Sequence, residues 1–300
     1  MDIENMESYF SNPKPVPEWH TIVPAPLKAV RFPPEIHEAV MWGDMVCPRC
    51  DGKKGADCVQ QWGDETKNTR TLWHTCHCEE LRWKRKQIEQ ILPPRYHRSM
   101  LWSLKPSDRS KMPLEQQGKM IEYLKQHGND GFFFFGPPGT SKTTFATALL
   151  RSAMEREWST WFYKDGHPLT WNKSLFIRYI NWGTLMQEYL DYQNHPDDAP
   201  APSVTPRLIR ETKAAGRRFA LCLEELDKSR LTEYKANKFF ELMVAMDETG
   251  GQLILTTNHT TKESFQKWLY RTDNDAINMA GEPAWRRISD NCLMIECKAG

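Results

Sequence analysis

The stretch Gly-Phe-Phe-Phe-Phe-Gly-Pro-Pro-Gly-Thr-Ser-Lys-Thr-Thr, residues 131–144, decides the fold of this chain. Its run of phenylalanines is apolar enough for a buried strand of a parallel sheet, and the residues after Thr144 repeat apolar side chains at helical spacing. The glycine loop between them ends in Lys142 and Thr143 and fits G-x-x-x-x-G-K-[ST], except that Ser141 replaces the second glycine. This order of strand, loop and helix predicts a phosphate-binding loop.

Each residue type in this loop has its own chemical role. Amides of the loop and of the helix N-terminus point N–H groups at phosphate oxygens, Lys142 supplies a positive charge, and Thr143 offers a hydroxyl to Mg²⁺. Ser141 keeps its amide, although its side chain stands where a close phosphate favours glycine. The alternative is a turn that binds nothing. The predicted nucleotide-binding residues of the loop are Gly136, Pro137, Pro138, Gly139, Thr140, Ser141, Lys142, Thr143 and Thr144.

A second apolar segment, Arg-Phe-Ala-Leu-Cys-Leu-Glu-Glu-Leu-Asp at 218–227, ends in carboxylates. At a nucleotide site the first carboxylate holds Mg²⁺ and the next polarises the attacking water. We therefore predict that Glu224 binds magnesium together with Thr143 and that Glu225 activates the water. Asp227 is the fallback if the register is shifted. The alternative is an acidic cap on the following helix.

Two further polar residues are predicted to act in catalysis. Asn258 follows the apolar segment 252–257, and in a doubly wound sheet it would lie beside the carboxylates, where it can orient the water or contact the γ-phosphate. Its alternative role is that of a turn former. Arg287, with Arg286 in reserve, precedes the last strand, where a guanidinium can reach the nucleotide of a neighbouring subunit. The alternative is an ordinary surface arginine pair.

The spacing of the cysteines predicts a metal site. In a reducing compartment, the 8 cysteines are expected as metal ligands or core thiols rather than disulfides. Cys47-Pro-Arg-Cys50-Asp-Gly forms a zinc-knuckle turn and Cys76-His-Cys78 a second close pair, which predicts a structural zinc site made of these four thiolates. Cys58 is the rival fourth ligand, and His74 or His77 can replace a thiolate. The remaining cysteines, predicted to lie in the core, are Cys222, Cys292 and Cys297.

A charged helix follows this cysteine segment. It carries a basic stripe around Trp83, which either holds phosphates or an acidic partner, or is a solvated face. The residues of this stripe are Arg82, Lys84, Arg85 and Lys86, with Arg95 and Arg98 beyond.

Helical and strand patterns alternate beyond residue 113, which predicts a parallel sheet flanked by helices. The predicted strands are 131–135, 175–180, 218–223, 252–257 and 292–297. The predicted helices are 79–91, 114–127, 142–155, 182–192, 207–214, 233–248, 261–269 and 283–290. The proline-rich residues 1–46 lack periodicity and are predicted to form a tail. The aromatic insertion 157–173 predicts a small hairpin, with base stacking as the alternative.

Composition limits the partners of the chain. Lysine and arginine number 40 against 39 acidic residues, so any contact with nucleic acid must be local. No stretch is apolar over the roughly 18 residues that a membrane span needs, and the N-terminus has no basic-then-apolar signal pattern. We therefore expect a cytoplasmic protein without membrane contact.

With these elements in this order, residues 95–297 resemble the DnaC/IstB-like branch of the AAA+ ATPases, the helicase loaders and transposition helper ATPases. Residues 223–234 and 255–260 look like that branch's Walker B, linking helix and sensor 1. The resemblance implies an α/β P-loop AAA+ sheet, with Walker A at 136–144, Walker B at Glu224 and Glu225, sensor 1 at Asn258, and Arg287 as the arginine finger. It implies ATP and Mg²⁺ as cofactors. Because the chain ends three residues after Cys297, no C-terminal helical lid is expected.

The resemblance also organises the whole chain. We divide it into a tail, 1–46, a Cys₄ zinc module with basic helix, 47–92, a linker, 93–112, and an AAA+ ATPase domain, 113–300. The cysteine pairs followed by a charged helix resemble the N-terminal zinc modules of some phage and bacterial helicase loaders, which engage the helicase or another replication partner.

The predicted function is that of an ATP-hydrolysing helicase loader or similar DNA-associated assembly factor. It would form an ATP-dependent homo-oligomer and hold DNA, in particular a single strand. One alternative replaces the replicative helicase with a transposase as partner. A second alternative is a nucleotide-switched binding module with little turnover, since Ser141 and Glu224 depart from the usual pattern.

Overall fold

A computed structural model describes residues 34–48, 57–62, 70–75, 77–157, 163–164, 167–168, 175–270 and 274–300. The chain divides into two compact units, residues 1–82 and 83–300. Within the described residues, no helix combines the length and the apolar character that crossing a bilayer requires.

The first unit contains helix α1 (Pro34–Trp42) and an antiparallel hairpin of β1 (Asp57–Trp62) and β2 (Arg70–Thr75). Helix α1 lies inside the segment predicted to be an irregular tail, so that prediction is wrong for these residues. Prolines obscured the pattern, yet a proline in the first helical turn loses no hydrogen bond because its N–H would be unpaired there. The helix then buries Val40 and Met41.

Helix α2 (His77–Ile91) begins in the first unit and ends in the second, close to the predicted bounds. The division between the units therefore falls before the predicted linker 93–112. That linker belongs to the second unit and buries apolar side chains there, which a free connection would not do. These side chains are Met100, Leu101 and Met112.

The second unit is an α/β layer structure. Its strands are β3 (Gly131–Phe135), β4 (Tyr163–Lys164), β5 (His167–Pro168), β6 (Leu175–Asn181), β7 (Arg218–Glu224), β8 (Gln252–Thr257) and β9 (Cys292–Glu296). Its helices are α3 (Leu114–Gln126), α4 (Lys142–Glu157), α5 (Trp182–Asn194), α6 (Pro206–Ala214), α7 (Glu233–Thr249), α8 (Lys262–Leu269) and α9 (Asp275–Asn291). Single turns of 3₁₀ helix occur at Pro94–Tyr96 and Leu226–Lys228.

The predicted parallel sheet is confirmed. It has five strands in the order β6-β7-β8-β3-β9, and every pair is parallel. All residues of β3 are buried, as the phenylalanine run predicts for a central strand. Strand β8 lies between β3 and β7, so the glycine loop and the carboxylates after β7 are separated by one strand. Because parallel strands end at one edge, the loop, the carboxylates and Asn258 all follow strands at the same edge.

Helix α9 is longer than the predicted segment 283–290. The Asn274 side chain accepts a hydrogen bond from the Ile277 amide and caps the helix, which continues through Pro283. Proline inside a helix removes a backbone hydrogen bond, so the local sequence disfavours the longer helix that is observed. The buried residues Ile277, Ala284 and Ile288 lie at helical spacing on both sides of that proline, so packing of this face holds the helix together.

The basic stripe predicted on α2 is not uniformly exposed. Lys84 is buried, and its ammonium lies 3.2 Å from the Glu155 carboxylate on α4. Arg151, one turn earlier on α4, pairs with the same carboxylate and donates to the His97 carbonyl at 3.2 Å. A buried charge must be paired, so Lys84 is part of the packing of α4 rather than of a phosphate-binding stripe.

Candidate functional site

The glycine loop leaves β3 in a backbone that three positive φ angles shape. Gly136 has φ 141°, Gly139 has φ 87° and Ser141 has φ 65°. The Gly136 amide donates to the His259 carbonyl at 2.8 Å, and an added Cβ at Gly136 would lie 2.2 Å from the Cys297 carbonyl oxygen. The loop is therefore fastened between the ends of β8 and β9.

Ser141 adopts a left-handed backbone immediately before α4. This conformation costs an L-residue roughly 1–2 kcal/mol, whereas glycine adopts it freely. The departure from the motif, visible in the sequence as a side chain close to phosphate, is therefore also a source of backbone strain.

We expect Ser141→Gly to raise the free energy of unfolding by about 0.5–1 kcal/mol, because relief of strain exceeds the extra entropy of glycine in the unfolded chain. The measurement is denaturant unfolding of both proteins. Ser141→Ala removes the hydroxyl but keeps the strained backbone, so it should give no such gain. Equal stabilisation by alanine would show that the hydroxyl, not the backbone, is responsible.

Lys142, the first residue of α4, turns back onto the loop. Its Nζ donates to the carbonyls of Gly136 at 2.7 Å and Pro137 at 2.8 Å, and the side chain is buried. Burial lowers the pKa of the ammonium, and the nearby carboxylates of Asp227 and Glu225 oppose that shift. The positive charge thus lies beneath the loop, where phosphate oxygens would replace the carbonyls as its partners.

Thr143 and Glu224 meet, as predicted for a magnesium site. The Thr143 hydroxyl donates to one Glu224 oxygen, and the Tyr179 hydroxyl from β6 donates to the other. Burial raises the pKa of Tyr179, and the hydrogen bond to Glu224 adds to that shift. Burial raises the pKa of Tyr96, the Arg95 cation opposes that shift, and the nearby Glu224 charge adds to it. A hydroxyl and a carboxylate are the hard oxygen ligands that Mg²⁺ prefers, so this pair fits the metal.

Glu225 is held on both carboxylate oxygens. The Asn181 amide donates to one at 2.7 Å, and the Lys228 ammonium lies 2.5 Å from the other. Its own backbone is left-handed, with φ 57°, and its amide donates to the Thr256 hydroxyl at 3.1 Å. Asn181 ends β6 directly opposite Glu224 on β7, so strand pairing brings it to the carboxylates.

Asp227 is hydrogen-bonded to Asn258 rather than to the pair predicted to bind the metal. One Asp227 oxygen accepts from the Asn258 amide at 2.7 Å and from the Thr257 hydroxyl at 2.9 Å, and the other accepts from the Asn258 side chain at 3.3 Å. Burial would raise the pKa of Asp227, but these hydrogen bonds outweigh it and lower the pKa. The structure thus places Asn258 at the predicted edge, with its side chain oriented by Asp227.

Arg287 is not brought to this site. Its Nε lies 3.4 Å from the Asp247 carboxylate on α7, and its guanidinium lies 5.3 Å from the Phe240 ring centre. It lines a small cavity with Leu253 near the amino end of β8, whereas the other groups lie at the carboxyl end. Arg286 is exposed beside Asp290.

Sequence reasoning missed Tyr179, Tyr96 and Asn181. Each lies outside the loop motif and reaches the site through strand pairing or the path of the chain before α3. The only signal in the sequence was the polar end of the segment 175–181, whose neighbour in the sheet could not be read from the chain alone.

The zinc prediction lies largely outside the described residues. Cys47 and Cys78 are buried, whereas Cys50 and Cys76 are not described. Within the part of the chain that the structure describes, no cluster of three or more potential ligands is present. The prediction that three other cysteines are core residues is confirmed, since Cys222, Cys292 and Cys297 are buried.

No protein-family model matches this chain, and no curated protein is significantly similar to it in sequence. Among solved structures, the DnaC helicase loader is similar over 69% of this chain and 100% of its own, at 15% identity and a TM-score of 0.45. DnaI is similar over 68% of this chain and 94% of its own, at 14% identity and a TM-score of 0.45. AMPPCP-bound DnaA from Aquifex aeolicus is similar over 69% of this chain and 51% of its own, at 13% identity and a TM-score of 0.42. These values are too low to establish a family.

Proposed function

We propose that this protein binds and hydrolyses ATP with Mg²⁺ as a DnaC-like AAA+ ATPase. One observation carries the nucleotide part: the phosphate loop, a Thr–Glu pair suited to magnesium and a second glutamate meet at the carboxyl edge of β3, β7 and β8. Lys142 would hold the phosphates with the loop amides, and Glu224 with Thr143 would hold the metal. Bound Mg²⁺ supplies positive charge that offsets the charge developing on the phosphates.

In this proposal Glu225 is the residue that takes a proton from the attacking water. The Asn181 amide and the Lys228 ammonium hold the Glu225 carboxylate at the site edge. Each carboxylate oxygen has a second lone pair, with which it can accept the proton of the water. Asn258, oriented by Asp227, would hold the water or the γ-phosphate. All of these side chains belong to one subunit.

The proposed biological role is that of a replication-associated helicase loader or similar DNA assembly factor. The support is the motif order described from the sequence. The position of Arg287, distant from its own subunit's loop, suits action on a neighbouring copy's nucleotide, and hence an ATP-dependent homo-oligomer on single-stranded DNA. A transposase is the alternative partner. The strained Ser141 favours the second alternative, a nucleotide switch with little turnover.

Steady-state ATP hydrolysis at several protein concentrations, with and without single-stranded DNA, tests the proposal. We expect the rate per subunit to rise with concentration and with DNA, and to vanish in Lys142→Ala because the phosphates lose their charged ligand. Arg210→Ala, which removes a half-exposed cation paired with Glu248 near the amino end of β8, is the control. Nucleotide binding without turnover under every condition would favour the switch, and absence of binding would reject the proposal.

We further propose a structural zinc site in the first unit. The support is the spacing of the cysteine pairs in the sequence, together with the β1–β2 hairpin, in which Asp57, after the first pair, lies opposite Thr75, before the second pair. Four thiolates would close a tetrahedral site.

Metal analysis of the purified protein should find about one zinc per chain. Cys47→Ser should lower this zinc content because one thiolate ligand is lost. Cys292→Ser, on β9, should retain the metal. A folded protein without zinc would contradict this proposal and leave the ATPase proposal untouched.

A further inference from the structure

A surface cavity of about 190 Å³ in the second unit is not used by the proposed catalysis. It is lined by Arg230, Leu231, Lys267 and Trp268. Arg230 and Leu231 lie in the segment between β7 and α7, and Lys267 and Trp268 lie in the last turn of α8. Leu231 is buried and forms apolar lining. The volume is below the roughly 300–1,000 Å³ of small-molecule sites and suits a single planar group better than a whole cofactor.

The cavity has uncompensated positive charge. Arg230 and Lys267 are both exposed, and neither forms an ion pair within the described part of the chain. On the same helix, by contrast, Lys262 has the Glu263 carboxylate 3.8 Å away. Two cations without carboxylate partners on one small cavity favour an anionic ligand.

Trp268 adds an aromatic surface, and other aromatic rings pack against it. Its ring lies 5.2 Å from the Phe265 ring and 6.0 Å from the His259 ring, measured between centres. Trp268 is partly exposed, so part of the indole remains available. A fixed aromatic side chain beside cations is the arrangement by which proteins stack a base and contact the phosphates next to it.

We propose that this cavity is a contact site for single-stranded nucleic acid, with the Trp268 indole stacked on one base and Arg230 and Lys267 on the flanking phosphates. The inference rests on the proposed function and names the residues that hold its DNA. An acidic peptide would use the two charges but gain little from the indole, so the observations favour nucleic acid.

The cavity is connected to the phosphate loop through His259. The His259 ring contacts Trp268, and its carbonyl accepts the hydrogen bond from the Gly136 amide. His259 also follows Asn258 directly in the chain. Nucleic acid in the cavity therefore has a short physical path to the loop, and its binding is expected to change ATP turnover.

The test is binding of a fluorescein-labelled oligo(dT) by anisotropy, in several salt concentrations and without nucleotide. Arg230→Ala/Lys267→Ala should weaken binding at least about 10-fold at low salt and reduce the salt slope by about 1.4, since each phosphate contact on a single strand contributes about 0.7. The matched control is Lys119→Ala/Arg207→Ala, which removes the same charge from exposed positions elsewhere. It should bind nearly as the wild type does.

Trp268→Leu should weaken binding about 10-fold through lost stacking, whereas Trp268→Phe should retain most of it. Because Trp268 packs against the core, thermal unfolding of both variants serves as the folding control. If Trp268→Leu is unstable, Trp268→Phe and the double variant Arg230→Ala/Lys267→Ala still test the proposal.

An equal loss of oligo(dT) affinity in Arg230→Ala/Lys267→Ala and in the control double variant would overturn the proposal. It would also be overturned if polyglutamate displaced the labelled strand as well as unlabelled oligo(dT) does, since that would indicate an acidic protein as the partner. Basal ATP turnover without DNA should be unchanged in Arg230→Ala/Lys267→Ala. Missing turnover in the wild type would refute the proposed function, whereas DNA binding that ignores the cavity variants would refute this inference alone.

Discussion

Glu225→Gln should bind ATP as the wild-type protein does and hydrolyse it at least about 100-fold more slowly, because a positioned general base contributes roughly 10²–10⁴. The oxygen of the substituted amide can still accept the hydrogen bond from Asn181, but the amide takes no proton from water. Single-turnover hydrolysis and binding of a fluorescent ATP analogue separate the two effects. Glu233→Gln, at an exposed position in the first turn of α7, should leave both unchanged.

The same variant tests the oligomer. If turnover releases the assembled form, Glu225→Gln should accumulate larger species in ATP, visible by size-exclusion chromatography with light scattering. A variant that stays monomeric at high concentration with ATP and DNA would contradict the assembly mechanism. Hydrolysis at the wild-type rate would instead show that Glu225 is not the base, and the carboxylate roles would have to be reassigned.

Gly136→Ala should lower the free energy of unfolding by about 3 kcal/mol or more, because overpacking costs roughly 1–3 kcal/mol and a strained φ a similar amount. The new Cβ would lie 2.2 Å from the Cys297 carbonyl oxygen, and φ is 141°. That oxygen cannot move freely, since the Cys297 amide donates to the Phe135 carbonyl at 2.7 Å. Denaturant and thermal unfolding measure the change, with the melting temperature falling by about 10 °C.

Alanine variants at two other glycines separate the cost of the steric clash from the cost of the strained backbone. Gly216 and Gly250 also have positive φ, but a Cβ added to either meets open space. Gly216→Ala and Gly250→Ala should therefore lose only about 1–2 kcal/mol. If Gly136→Ala is no worse than these controls, the loop is not clamped against β9 as described.

The loop shows how far local sequence reasoning reaches. The spacing of Gly136, Lys142 and Thr143 predicts the strand, the turn and the helix because these depend on neighbours along the chain. The meeting of Thr143 with Glu224 also followed, since parallel strands end at one edge. The sequence identified Ser141 as unusual, but only the structure shows its left-handed backbone.

Two features that depend on contacts between distant residues were not predicted from the sequence. The charged neighbours of Lys84 predict a surface cation, yet Glu155 on another helix pairs with it in the interior. Pro283 is unfavourable inside a helix, yet α9 continues through it, because Ile277 and Ile288 are buried on either side. In both cases a tertiary contact outweighs the local preference.

The sequence by itself determined the glycine loop between β3 and α4, the alternation of strands and helices and hence the parallel sheet, and the two glutamates at the end of β7, because periodicity and motif spacing act between near neighbours. The tertiary structure alone decided that β8 separates β3 from β7, that Tyr179 and Asn181 reach the glutamates, and that Arg287 lies away from its own loop. These depend on which strands pair and which faces pack, and those pairings join residues far apart in the chain.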